Sequence, residues 1–281
     1  MLSIIINVFD GEKYIAEAIK SVSDQDCLDA EIVVVDNHSN DTTADIVQDF
    51  LKYENIKYYR TPLKLSLSEA RNFALQQVTK DYVIFLDCDD TLKENALNII
   101  IGEIRKSPNR ALYFGAYEIC DERNIKTITS QPRIKGFLVY ILPIYIVNPI
   151  ALCGAVLNLS YLRRNDIIFD NRLNIYEEFD IFLNLKKSLI KYIPVRLANY
   201  RIHESNYSKE KYIAAMTESS RVYKKHRDRH SRIFVFFRFK AIALALVRSQ
   251  NRLRRLTSLS VSSLIYLYIL MKVYRRKQFA I

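Results

Sequence analysis

The sequence predicts an α/β protein, a mixed but mostly parallel sheet flanked by helices, followed by a basic helical extension. Two observations carry this. Short apolar, β-rich runs alternate with stretches of helical spacing through the first hundred or so residues, joined by short polar loops. Three of those apolar runs end in Asp or Asn, which lines up their polar ends along one edge of the sheet. A chain of 281 residues can bury one sizeable core with a small appendage, and 49% apolar residues is ordinary for a folded protein.

The elements follow in order. "LSIIINVF", residues 2–9, opens as a strand, and "GEKYIAEAIKSVSDQ" sets Tyr14, Ile15, Ala18, Ile19 and Val22 at helical spacing. "EIVVVD", residues 31–36, is the second strand, and "NHSNDTTADIVQDFLKY" reads as polar loop, capping residues, then helix. A short strand at "IKYYRT" and a helix around "LSEARNFALQQV" lead to "VIFLDCDDTL", residues 83–92.

In that last stretch Val83, Ile84, Phe85 and Leu86 read as a strand buried on both faces, with Asp87, Asp89 and Asp90 crowded at its carboxyl end. Carboxylates so close repel unless something positive lies between them, and a hard divalent cation such as Mg²⁺ or Mn²⁺ does so through oxygen ligands. The plainer alternative is an Asp-rich turn in which Thr91 or Asp90 caps the helix of "TLKENALNIIIGEIRK". A cap uses one oxygen and leaves two carboxylates unexplained.

The amino terminus runs straight into a strand with no basic leader or small-residue cleavage site, so no secretory signal is expected. Cys27, Cys88, Cys120 and Cys153 lie far apart without a Cys-x-x-Cys pair, which favours buried thiols in a reducing cytoplasm over disulfides or zinc. The net charge of +11 is uneven: residues 204–281 carry +14 and residues 1–203 carry −3. In the basic part the longest uncharged run, Leu256 to Met271, has 16 residues and five Ser or Thr, short of the roughly 20 apolar residues of a membrane span. Peripheral helices on an anionic membrane, or helices packed on the α/β domain or another subunit, both suit it. No motif supports nucleic acid as a partner.

Two families share the acidic turn. "FLDCDDTL" resembles the nucleophile motif of haloacid dehalogenase-like phosphatases, but these would need a later Lys and a further acidic pair, commonly Gly-Asp, and none of the five glycines is followed by Asp. The succession "SIIINVFDGEKYIAEAIKSVSDQ", "EIVVVDNHSNDTT", "SLSEARNFAL", "YVIFLDCDD", "CGAVLNLSYLRRNDIIFDNRLNIYEEFDIFLNL" and "NYRIHESNYS" resembles the family 2 glycosyltransferases of the GT-A fold, over residues 1 to about 208. That resemblance implies a catalytic domain at 1–208 and an extension at 209–281.

The resemblance also implies roles. Asp36 would bind the nucleotide base, helped by Phe9 at the end of the first strand and by Arg71 of "EARNFA" with Asn72 beside it. An arginine fork suits a diphosphate or a base carbonyl, the alternative being a solvated helix charge. For Asp36 the alternative is a loop cap. Asp89 would hold the metal, Asp87 the ribose or an outer water and also the metal, with Asp90 behind them. Glu178, or failing it Glu177 and then Asp180, would be the general base at a helix amino terminus, where the dipole favours the anion. His203 would touch the metal or the diphosphate near Arg201. Residues 149–164, with Cys153 and Gly154, would line the acceptor side.

Asn37 stands where the family usually has a second Asp, Lys64 and Ser66 where it tends to have Asn and Gly, and Glu178 where Asp is common. The expected activity is inverting transfer from an NDP-sugar, a UDP-sugar first, to a glycan or lipid-linked glycan acceptor at the inner face of the membrane, with Mn²⁺ or Mg²⁺. The rivals are the phosphatase and a degenerate nucleotide-binding or membrane-scaffolding protein.

Overall fold

Three apolar runs and one short strand become the parallel strands β1 (Leu2–Val8), β2 (Ala30–Asp36), β3 (Ile56–Arg60) and β4 (Tyr82–Asp87), β3 being the short one, separated by α1 (Ile15–Ser23), α2 (Thr43–Gln48) and α3 (Leu67–Gln77). The runs of β1, β2 and β4 lack polar alternation because both faces are covered, whereas β3, at the sheet edge, carries Lys57 and Arg60. Ile4, Ile6, Ile32, Val34, Ile84 and Leu86 face one core, and Ile5, Val33, Val35, Val83 and Phe85 face the other.

Beyond β4 come β5 (Thr91–Leu92), α4 (Ala96–Lys106), β6 (Leu112–Cys120), β7 (Lys126–Ser130), β8 (Ala155–Asn158), α5 (Leu159–Arg164), α6 (Glu177–Asn184) and β9 (Ile190–Arg201). Among the described residues these strands form one sheet in the order β3-β2-β1-β4-β8-β6-β9-β5, with β7 on β6. The parallel half follows the strand–helix alternation. Past β4 the sheet is mixed, since β8 runs antiparallel to both β4 and β6, and β5 antiparallel to β9.

The structure is a computed structural model and describes residues 1–25, 27, 29–123, 126–130, 150–203, 217–218, 221–222 and 224–226. The chain divides into two units, Met1–Lys224 and Lys225–Ile281. Of the second unit only Lys225 and His226 are described, both helical, so the expected boundary at 208/209 and the apolar basic helices of the extension lie outside the described residues. Among the described residues no helix is long and apolar enough to cross a membrane.

The chain leaves β1 toward β2 and β3 on one side and returns as β4 on the other, so a crevice opens at the carboxyl ends of β1 and β4. Register brings the polar ends together: Val8 lies opposite Asp36, and Asn7 opposite Asp87. Neither Asp90 nor Thr91 caps α4. Its N-cap is Asn95, at φ 59°, while Thr91 has joined β5 and Asp90 accepts from the Arg201 backbone N–H at 2.9 Å.

At the opposite edge the buried Glu31 carboxylate fastens β2 to its neighbours. It accepts from the Ser3 hydroxyl at 2.7 Å, the Thr79 backbone N–H at 2.7 Å and the Lys57 ammonium at 3.1 Å. Burial works upward on this group, yet these donors together pull its pKa down to about 2. A carboxyl depressed by folding stabilises the protein above its unfolded pKa, and that share is lost as pH falls from 4.5, the ordinary value for a glutamate, toward about 2. Urea unfolding between pH 7 and pH 2 is expected to show this loss, and Glu31→Gln to remove it while costing on the order of 2 kcal/mol at neutral pH.

Candidate active site

The turn after β4 is closed by an Asp90 N–H bond to the Asp87 carbonyl at 3.0 Å. The loop after β1 lies directly against it, and Gly11 makes this approach feasible: a Cβ there would stand 2.3 Å from the Val8 Cγ2 and 3.2 Å from the Cys88 sulfur. Each aspartate of the turn has a different setting. Asp87 is the most open, its side chain 41% exposed, and accepts from Arg71 at 3.2 Å. Asp89 is 21% exposed, with its Oδ2 2.8 Å from His203 Nε2. Burial, then the charge of Asp87, raises its pKa.

Asp90 is fully inside, where burial and then its two neighbours push its carboxyl well above the usual range. Besides the Arg201 N–H it meets the thiol of Cys153, which is itself buried in a 3₁₀ turn, Leu152–Gly154. Cys153 and Gly154, expected on the acceptor side, are thus packed behind the acidic turn.

Arg71 is not a solvated helix charge. It is 3% exposed, its guanidinium carbon 5.9 Å and 5.7 Å from the ring centres of Phe85 and Phe169. One terminal nitrogen donates to Glu177 and the other to Asp87. Burial alone would lower its pKa, but Asp87, Glu177 and Glu178 raise it, so the fork stays charged. Glu177 is equally buried, and burial raises its pKa. Among the described residues, Arg71 Nε and Glu177 Oε2 are buried without a hydrogen-bond partner.

Glu177 therefore anchors α6 to the turn, whereas Glu178, next to it in the first turn of the helix, is only half-buried, and its charge reaches Arg71 and Cys153. Asp180 is fully buried. Asn72 ties α3 to the segment before α6, donating to the Phe169 carbonyl at 2.8 Å.

Asp36 is fully buried at the end of β2. One oxygen accepts from the Ser39 N–H at 2.7 Å, the loop-capping contact, and the other from Tyr58 at 2.6 Å and Arg60 at 3.2 Å. Burial and then the bond to Asp36 push the Tyr58 phenol up to about 12. Tyr14 reads from spacing as a core residue of α1. It is instead the residue before the helix, with its ring 5.2 Å from that of His203 and 4.8 Å from the Arg201 guanidinium. Glu17, on the same helix, reaches Arg201 at 2.7 Å. Neither residue carries a sequence signal, because its partner is about 185 positions away.

The donor set suits a hard cation in part. Among the described residues no three of His, Cys, Asp and Glu gather closely enough to hold an ion alone. Mg²⁺ and similar ions are usually held by one or two carboxylates together with substrate phosphates, however, and neighbouring ligands at bond lengths of about 2.1 Å stand about 3 Å apart. The 2.8 Å between Asp89 Oδ2 and His203 Nε2 has that span. Asp89 and His203 would be the ligands, with Asp87 beside them.

The sequence matches the family described as Glycosyl transferase family 2 over residues 3–166, more than half of the chain. The chain belongs to glycosyl transferase family 2. Its structure is similar to that of S. aureus TarS 1-349 in complex with UDP-GlcNAc, with a TM-score of 0.66 at 20% identity over 86% of this chain and 75% of that one, so the fold is GT-A. Curated relatives include an uncharacterized glycosyltransferase of Haemophilus influenzae, 29% identical over 48% of this chain and 54% of its own length. Another is the GalNAc(5)-diNAcBac-PP-undecaprenol beta-1,3-glucosyltransferase of Campylobacter jejuni, 36% identical over 36% of this chain and 33% of its own. The teichoic acid poly(glycerol phosphate) polymerase of Staphylococcus epidermidis is 23% identical over 71% of this chain and 27% of its own. The chain thus spans between about a quarter and about half of the length of these relatives. Family 2 membership sets aside the phosphatase likeness of the acidic turn.

Three departures from the usual family 2 residues form one alternative loop. Asn37 donates to the Leu65 carbonyl at 2.9 Å and accepts from the Leu65 N–H at 2.8 Å. An Asp could not make the first bond. Leu65 so held places Lys64 with its ammonium 3.3 Å from the centre of the Phe9 ring, a cation–π contact. Ser66 then starts α3 through a capping box with Glu69.

Asn37→Asp is expected to lower unfolding free energy by about 1–3 kcal/mol by setting a carboxylate against a carbonyl, and to expose the 61–66 loop to limited proteolysis. Glu177→Ala, which leaves the buried Arg71 short of a partner, is expected to cost about 3 kcal/mol or more in urea unfolding.

Proposed function

We propose that this chain transfers a sugar from a nucleoside-diphosphate sugar, a UDP-sugar first, to a hydroxyl of a surface glycan or lipid-linked glycan, with inversion and with Mn²⁺ or Mg²⁺. The observation that carries the reading is the meeting of Asp89 and His203, 114 residues apart in sequence, at 2.8 Å on the switch-point edge beside Asp87. The UDP-GlcNAc complex of TarS favours a UDP-sugar, and the relatives named for teichoic acid and undecaprenol-linked glycans favour the acceptor class.

The strand ends would hold the donor, with Phe9 and the Asp36 loop toward the base and Asp87 toward the ribose. A divalent ion on Asp89 and His203 would supply charge stabilisation to the leaving diphosphate. Glu178 would take the proton of the acceptor hydroxyl as that oxygen bonds to the anomeric carbon and the bond to the diphosphate breaks, a single displacement that inverts the centre. Glu178 fits this duty better than Glu177, whose carboxylate is committed to Arg71. Glu178 also sits in the first turn of α6, where the dipole favours the anion.

In this proposal residues 1–208 are catalytic and the extension, with its +14 charge from residue 204 on, rests on an anionic membrane at the cytoplasmic face or joins a second subunit. Flotation of the full chain with anionic and neutral liposomes separates these, since membrane contact requires preference for the anionic ones.

Thermal shift against UDP-, GDP- and dTDP-sugars with and without Mn²⁺ tests the donor, and a UDP-sugar with Mn²⁺ is expected to shift the midpoint most. Glu178→Gln is expected to lower sugar transfer by about 10²–10⁴-fold with UDP binding unchanged. Full turnover in that variant would return the base role to another group.

A further inference from the structure

Arg201 is the most thoroughly engaged side chain near the acidic turn, and nothing in the proposed chemistry yet uses it. It ends β9, two residues before His203, and is 3% exposed. Its backbone N–H donates to Asp90 at 2.9 Å, its Nε to the Asp89 carbonyl at 2.9 Å, and a terminal nitrogen to Glu17 at 2.7 Å. The ring of Tyr14 packs on its guanidinium and also on the His203 imidazole. One residue thus grips the backbone of Asp89 and, through Asp90, the rest of the turn. It also fixes the strand end from which His203 reaches the Asp89 carboxylate.

We propose that Arg201 is a positioning residue that holds Asp89 and His203 within one ligand span of each other, with Glu17 and Tyr14 keeping its guanidinium in place. This rests on the reading of Asp89 and His203 as the cation-holding pair. The physical case is geometric. Asp89 sits on a tight turn and His203 just past a strand end, and Arg201 bonds to both sides: its backbone N–H reaches Asp90 and its Nε the Asp89 carbonyl, two residues before the His203 imidazole that meets the Asp89 carboxylate. A planar fork with fixed donor directions can span the Asp89 carbonyl and Glu17 at once, and a lysine cannot. Outer groups of this kind orient metal ligands, and their loss typically weakens metal binding by about 10–100-fold.

The test measures the affinity of the full chain for UDP by calorimetry with and without Mn²⁺, in the natural protein and in Arg201→Lys, Arg201→Gln and Glu17→Gln. A positioning role predicts that the Mn²⁺-dependent gain in UDP affinity shrinks by about tenfold in both Arg201 variants, and by a few-fold in Glu17→Gln, while metal-free UDP affinity stays near that of the natural protein. A merely structural role would lower both affinities together, and that result overturns the proposal. So does an unchanged Mn²⁺-dependent gain in folded variants. Should the Arg201 variants not fold, Glu17→Gln, which removes only the charge that orients the Arg201 guanidinium, decides alone by the same comparison. If the natural protein binds no UDP with or without Mn²⁺, the functional reading itself fails; if it binds UDP with no gain from Mn²⁺, the nucleotide reading stands and this inference falls.

Discussion

Asp87, Asp89, Asp90 and Glu177 place four carboxyl groups at one edge of the sheet, two of them within the protein; the buried Arg71 pairs with Asp87 and Glu177, and the buried Arg201 holds the turn by its backbone N–H to Asp90 and its Nε to the Asp89 carbonyl. Charge taken out of water is costly unless it is paired and hydrogen-bonded, and a guanidinium fork meets two partners at once. Arg71 joins the turn to α6 through Asp87 and Glu177. Arg201 joins it to α1 through Glu17 and to β9 through its own backbone. The acidic turn is therefore held by three distant parts of the chain through these two bridges.

The parallel half of the sheet makes that arrangement possible by being stiff. With apolar residues on both faces, β1, β2 and β4 keep their register, and their polar ends arrive together at the switch point. The loops at that edge are then tied to one another by side chains. Asp36 fastens the loop after β2 to β3, and Asn37 fastens it to the loop before α3. Lys64 over Phe9 is a consequence of that second tie, so residues that look like erosion of the family pattern at 37, 64 and 66 are mutually dependent parts of one loop.

The two adjacent glutamates of α6 show how one helix start separates roles. Glu177 is drawn inward by Arg71 and has lost the freedom a proton acceptor needs. Glu178 remains half-buried at the positive end of the helix, near the same guanidinium. The pair diverges because Arg71 takes the Glu177 carboxylate inward while Glu178 stays half-buried.

Much of this protein was legible in its residues alone. The apolar runs of β1 to β4, the helices between them, the acidic edge and the start of α6 at Glu177 follow from periodicity and from local chemistry that needs no partner further than a few positions away. Asp87 and Asp89 were visible as candidates for the same reason, and Arg71 and His203 through the family resemblance. What they touch was decided by the fold: the 106 residues between Arg71 and Glu177 and the 184 between Glu17 and Arg201 are closed only when the mixed half of the sheet folds beside the parallel half. The antiparallel placing of β8, the membership of Thr91 in a strand and the commitment of Glu177 to a salt bridge belong to that second class. Pairing across such distances is set by burial and register of whole elements, and a string of residues does not contain it locally.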